Sequence, residues 1–190
     1  MRVLVFPSTL VGYARVGLLL FAVEEALSIE PDPLSVIGCL LASRLLDLLD
    51  GALARRLAQT TLFGSVFDLL TDLATHSVVW WLSGLPIAGF LVSLEWAAGI
   101  GVVVTMVKGD TVWKPALLDN APGWIRSYFE QNQRNILCAY ACIGHFLVPT
   151  AAFLGVASLS IQATFLPGLI LYEAVTVYLF YATIRHRLEP

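Results

Sequence analysis

Residues 47–72 read DLLDGALARRLAQTTLFGSVFDLLTD. The skeleton is Asp47, two residues, Asp50-Gly51, two residues, Ala54-Arg55, eight residues, Gly64, three residues, Asp68, three residues and Asp72. The segment sits in a chain that is 58% hydrophobic and only 13% charged, with a mean hydropathy of +0.79. Soluble domains carry about a quarter charged residues, so the 190-residue chain is expected to be an integral membrane protein of one domain, residues 1–190. Four carboxylates and an arginine are expensive at membrane depth and mark a functional site there.

Asp47 and Asp50 are three residues apart and share one helical face; Asp68 and Asp72, four apart, share another. A short connection from Arg56 to Phe63 folds the two helices back as antiparallel neighbours, so the four carboxylates converge. Unneutralised, they would repel one another strongly. Carboxylate oxygen is a hard ligand suited to Mg²⁺ or Mn²⁺. Two such ions would cancel the four charges and form the usual clamp for phosphoryl displacement. Gly51 and Ala54 let a ligand approach the backbone, Arg55 offers a permanent cation to a diphosphate, and the missing side chain of Gly64 leaves room at the start of the next helix.

A helix needs roughly 20 apolar residues to cross a bilayer. Six segments qualify, near 9–29, 34–54, 65–83, 87–107, 135–156 and 164–185. They predict an all-α polytopic protein with six transmembrane helices. Pro31-Asp32-Pro33, Ser83-Gly84-Leu85-Pro86, a polar loop from Lys108 to Asn132, and residues 157–163 separate them. Arg2, Arg55, Arg56, Lys108, Lys114, Arg126, Arg134, Arg185 and Arg187 all fall on one side of this arrangement, which places both termini and the Asp47–Asp72 stretch at the cytoplasmic interface. Trp80, Trp81, Trp113 and Trp124 lie near span ends and are expected as interfacial anchors. No cleavable signal peptide is expected, and the first span serves as its own insertion signal. The net charge of -3 gives no support to a nucleic-acid partner. Cys39, Cys138 and Cys142 lie in apolar runs and read as small buried residues. No internal repeat of the transporter kind is visible.

The skeleton resembles the signature of the CDP-alcohol phosphotransferase family, D-x2-D-G-x2-A-R-x8-G-x3-D-x3-D, at every specified position. FPSTLVGYARV, residues 6–16, and FGSVFDLLTD, residues 63–72, are similar to the corresponding segments of eukaryotic phosphatidylinositol synthases. The resemblance implies transfer of a phosphatidyl group from CDP-diacylglycerol to an alcohol, with release of CMP. It implies two Mg²⁺ or Mn²⁺ ions on Asp47, Asp50, Asp68 and Asp72, with Asp72 also the general base for the acceptor hydroxyl. Asp50, Gly51, Ala54, Arg55 and Gly64 would hold the CDP group. Arg15, which matches the YAR of the synthases, would contact phosphate or acceptor, with a structural ion pair as the alternative. A homodimer in the endoplasmic reticulum or another intracellular membrane, including the mitochondrial inner membrane, is implied as well.

The acceptor side departs from the synthases. Ser8 replaces an Asn, Leu73 and Gln131 replace arginines, and the fourth span reads EWAAGIGVVVTM over residues 95–106. A polyol left unpaired against such a wall loses about 1–3 kcal/mol per hydroxyl, which argues against inositol. The rival reading is a structural or accessory subunit of a larger membrane complex, derived from such an enzyme. Arg44, three residues before Asp47, is placed to balance charge in the cluster. His76 reads as a core histidine, and Glu95, His145 and Glu173 as span residues that pack against interhelical partners.

Overall fold

A computed structural model describes residues 6–57, 59–108 and 113–188, except the side chain of Asp50. All regular elements among them are helical: α1 Pro7–Ala26, α2 Pro33–Arg56, α3 Leu62–Leu82, α4 Ala88–Val107, α5 Trp113–Leu118, α6 Gly123–Phe129, a 3-10 turn at Glu130–Gln133, α7 Ile136–Phe153 and α8 Leu159–Leu188. Each segment expected to span the membrane is a helix at about the expected place. Arg2 lies outside the described residues. The chain forms two compact units, Met1–Leu82 and Ser83–Pro190.

Among the described residues, four helices are long and apolar enough to cross a membrane: α3, α4, α7 and α8. The chain is therefore an integral membrane protein with several candidate spans. The expectation of six meets a local obstacle in α1 and α2. α1 carries Arg15, Glu24 and Glu25, and α2 carries Arg44, Asp47, Asp50, Arg55 and Arg56, charges that are costly at membrane depth.

In the first unit, α1 and α2 pack as a helical hairpin and α3 lies against α1. The turn that the two prolines predict is built around Asp32. Its carboxylate accepts from the backbone N–H groups of Leu34 and Ser35 at 3.1 and 3.2 Å and from the Ser35 hydroxyl at 2.6 Å, while Pro33 begins the helix. The Asp32 N–H donates to Glu25 at 3.0 Å, which ties the end of α1 to the start of α2. The Ser35 hydroxyl bond, with the Leu34 N–H, holds the Asp32 carboxyl below its ordinary value. A folded-state value below the unfolded one contributes stability above the unfolded value, lost as pH falls through the folded one. Asp32→Ala should therefore lower the melting temperature at neutral pH, and the gap from wild type should close as the sample is acidified below the usual carboxylate range; a pH series of thermal melts checks both. α1 approaches α3 at Gly12, where an added Cβ would meet the Phe67 ring at 2.7 Å.

In the second unit, the segment expected to be a plain polar loop contains α5, α6 and the 3-10 turn. Leu118, Ala121, Ile125, Tyr128 and Phe129 from this segment bury themselves against Cys138 and Ala141 of α7 and Val175 of α8. These helices are too short to announce themselves by periodicity and hold their form by packing. Gln131, Asn132 and Gln133 take positive φ values of 52°, 54° and 65°. Asn135 secures the turn. Its side-chain oxygen caps α7 through the Cys138 N–H at 2.9 Å, and its amide donates to the carbonyls of Ser127, Tyr128 and Glu130 at 3.0, 2.9 and 3.0 Å. α7 and α8 meet backbone to backbone where Gly144 faces Gly168, and α8 meets α4 where Thr183 fills the space beside Gly101.

Of the four tryptophans expected at interfaces, Trp81 and Trp124 are exposed, Trp113 packs edge-on against Phe129, and Trp80 is buried. Proximity to a span end did not distinguish the inward face of α3 from the outward one. The three cysteines form no disulfide among the described residues. Cys138 is buried as expected, and Cys39 and Cys142 are half-buried.

Candidate functional site

The site belongs to the first unit and is assembled by three helices. α2 brings Asp47, α3 brings Asp68 and Asp72, and α1 brings Arg15. The Arg15 guanidinium contacts all three carboxylates. One terminal nitrogen binds Asp47 at 2.9 Å and also Asp68; the other binds Asp72 at 2.5 Å. Arg44, one turn before Asp47 on α2, binds the same Asp72 oxygen at 2.7 Å. The Arg15 side chain is 0% exposed and that of Asp68 45%, so the cluster is closed at its cationic floor and open on the Asp68 side.

The local sequence explains this convergence. The connection at 57–61 is short: the Leu57 N–H still bonds Leu53 at 2.9 Å and the Gln59 N–H reaches back to Ala54 at 2.8 Å. Thr61 then accepts from the Gly64 N–H at 3.0 Å and opens α3. A spacing of four residues puts Asp68 and Asp72 on one face of α3. Gly51, Ala54 and Arg55 lie on the last turns of α2. Arg55 is exposed and folds over Gly51, where an added Cβ would come within 3.2 Å of the guanidinium. Gly64 lies in the first turn of α3. Asp50 is in α2 one turn from Asp47, and its side chain lies outside the described residues.

Asp47, Asp68 and Asp72 each offer an oxygen within 4.8 Å of the others. Three converging carboxylates are a donor set that fits a hard divalent cation. Arg44 was legible as a charge partner from its spacing. What sequence spacing missed is that Arg15, 53 residues from Asp68, occupies the centre of the acids. Its sequence signals are an arginine set in an apolar run and the match of Tyr13-Ala14-Arg15 to the synthases.

A separate polar network lies in the second unit. His145 Nδ1 is 3.0 Å from Glu173 and its Nε2 3.7 Å from Glu95; the Tyr172 hydroxyl donates to Glu95 at 2.6 Å and its ring stacks on the imidazole at 3.9 Å. These residues, expected to have interhelical partners, are partners of one another across α4, α7 and α8. The remaining polar groups of α4 turn inward on their own helix: Ser93 donates to Gly89 at 2.7 Å and Thr105 to Gly101 at 2.9 Å. His76 is buried, as expected of a core residue.

The family model for CDP-alcohol phosphatidyltransferase matches residues 5–186. Over 71 residues, 37% of this chain, the sequence is 40% identical to the CDP-diacylglycerol--inositol 3-phosphatidyltransferase of Homo sapiens, 32% of which is covered. The proteins of that name from Rattus norvegicus and Mus musculus are each 39% identical over 71 residues. The chain thus spans about a third of the length of the curated relatives it matches. No solved structure matches it.

Proposed function

Since the chain belongs to the CDP-alcohol phosphatidyltransferase family, we propose that it is an enzyme that transfers a phosphatidyl group from CDP-diacylglycerol to the hydroxyl of a small alcohol and releases CMP. The observation that carries this reading is the meeting of Asp47, Asp68 and Asp72 around two guanidinium groups where α1, α2 and α3 come together.

In this reading, Asp47, Asp50, Asp68 and Asp72 hold two Mg²⁺ or Mn²⁺ ions, which supply charge neutralisation at the diphosphate and at the transferring phosphoryl group. Asp72 accepts the proton of the acceptor hydroxyl as its oxygen bonds to phosphorus and the bond to CMP breaks. Gly51, Ala54 and Gly64 let the CDP group lie close to the backbone, Asp50 hydrogen-bonds it, and Arg55 faces its phosphates. Arg15, beneath the acids, faces the phosphate or acceptor. α1 and α2 complete six spans of a single domain, 1–190, with the site at the cytoplasmic interface, where their charged residues reach water. A homodimer in an intracellular membrane completes the proposal.

The acceptor is a small alcohol less demanding than inositol. Two observations support this: the polar groups of α4 are engaged within the second unit, and Leu73 and Gln131 stand where the synthases resembled carry arginine. The same feature favours the alternative of an accessory subunit. Exchange of labelled CMP into CDP-diacylglycerol by the purified protein distinguishes the two. Mn²⁺-dependent exchange, with CDP-lipid binding weakened about tenfold by Arg55→Ala, is the expected result. Inositol transfer is expected to stay well below about 1 per second. Absence of exchange would leave the accessory reading, and rapid phosphatidylinositol formation would overturn the account of the acceptor side.

A further inference from the structure

We propose that Arg15 is an exchangeable counter-ion: its guanidinium holds Asp47, Asp68 and Asp72 together in the metal-free protein, and divalent metal displaces it from those carboxylates. The inference rests on the metal reading of the cluster given above and adds an order to it, with metal binding before CDP-lipid.

The geometry leads there in three steps. Arg15 uses both terminal nitrogens on three acids from two helices, and its side chain is 0% exposed. It therefore occupies the space between the oxygens that would have to ligate an ion, the same three residues whose oxygens lie within 4.8 Å of one another. A guanidinium at hydrogen-bond distance from a carboxylate and a dication on that carboxylate repel each other at close range, where screening is weakest. Both cannot keep their shortest contacts.

Charge then decides the order. Asp47, Asp50, Asp68 and Asp72 against Arg15 and Arg44 leave two negative charges in excess, a surface that repels a diphosphate. Two divalent ions reverse the sign and leave two positive charges in excess. Arg15, on a stem of three methylenes, then needs to move only its head group to face the incoming phosphates instead of the acids. Arg44 shares its Asp72 oxygen with Arg15 and is 23% exposed, so its head group has water within reach when an ion takes that oxygen.

The test measures Mn²⁺ binding to the full chain in detergent micelles by electron paramagnetic resonance, with thermal unfolding in chelator alongside. Arg15→Gln is expected to bind Mn²⁺ about tenfold more tightly than wild type, because no cation has to be displaced. It is also expected to unfold several degrees lower in chelator and to gain more from Mn²⁺. Equal or weaker Mn²⁺ binding by Arg15→Gln overturns the proposal. Arg15→Lys covers the case in which the glutamine variant does not fold: one ammonium cannot span three acids, so its Mn²⁺ affinity should fall between wild type and the tenfold gain. Weaker binding than wild type by the lysine variant overturns the proposal as well. Wild type that takes up no Mn²⁺ overturns the metal reading itself, an outcome separate from failure of the exchange.

Discussion

Asp68→Asn should lower phosphatidyl transfer by about a thousandfold, the scale of losing one element of preorganised charge stabilisation, and leave the protein folded. Asp68 is the most exposed of the three described acids, and its side chain supports no helix terminus; its described partner is Arg15. Asparagine keeps the shape and can still accept a hydrogen bond from the guanidinium. Removing one of four acids also relieves part of the negative excess at the metal-free site. The melting temperature in chelator should therefore match or exceed that of wild type, while the rise produced by Mn²⁺ shrinks. Activity above a tenth of wild type at low Mg²⁺ would remove Asp68 from the metal-binding set. A fall in chelator stability would instead make the residue structural. The variant is the mirror of Arg15→Gln, which removes a cation and should destabilise the same state.

Gly144→Ala should destabilise the second unit by about 3 kcal/mol, at the upper end of ordinary overpacking. A Cβ at Gly144 would meet the Leu169 nitrogen at 2.5 Å, the Phe165 oxygen at 2.6 Å and the Gly168 carbonyl carbon at 2.7 Å. All three are backbone atoms of α8, so no rotamer change relieves the clash and the helices must separate. Separation also pulls Glu173 on α8 away from His145, one residue beyond Gly144 on α7. Gly89→Ala, with nothing within 4 Å of the added carbon, is the matched control and should be nearly neutral. Denaturant or thermal unfolding in micelles reads both; equal stabilities for the two variants would show that α7 and α8 are not locked at this seam.

Much of the fold was legible because its signals are local. Apolar runs, proline and glycine breaks and the sided distribution of Lys and Arg located the six long helices to within a few residues. Asp32 with its two prolines announced a break between the first two helices. The short helices of 113–129 were not legible, since six or seven residues carry too little periodicity, and their form depends on burial against α7 and α8. The same limit hid the inward side of Trp80.

For the candidate site the division is sharper. Sequence alone determined that Asp47, Asp68 and Asp72 come together, because a spacing of four puts Asp68 and Asp72 on one helical face and a short connection turns that helix back toward Asp47. Only the tertiary structure decided what neutralises them. Arg15 is remote in sequence and reaches the acids through the packing of α1 on α2 and α3, and nothing in its spacing encodes that contact. Likewise Glu95, His145 and Glu173 read as separate polar residues on separate helices. They become one network when α4, α7 and α8 close around them, because a buried charge must find its partner wherever packing places one.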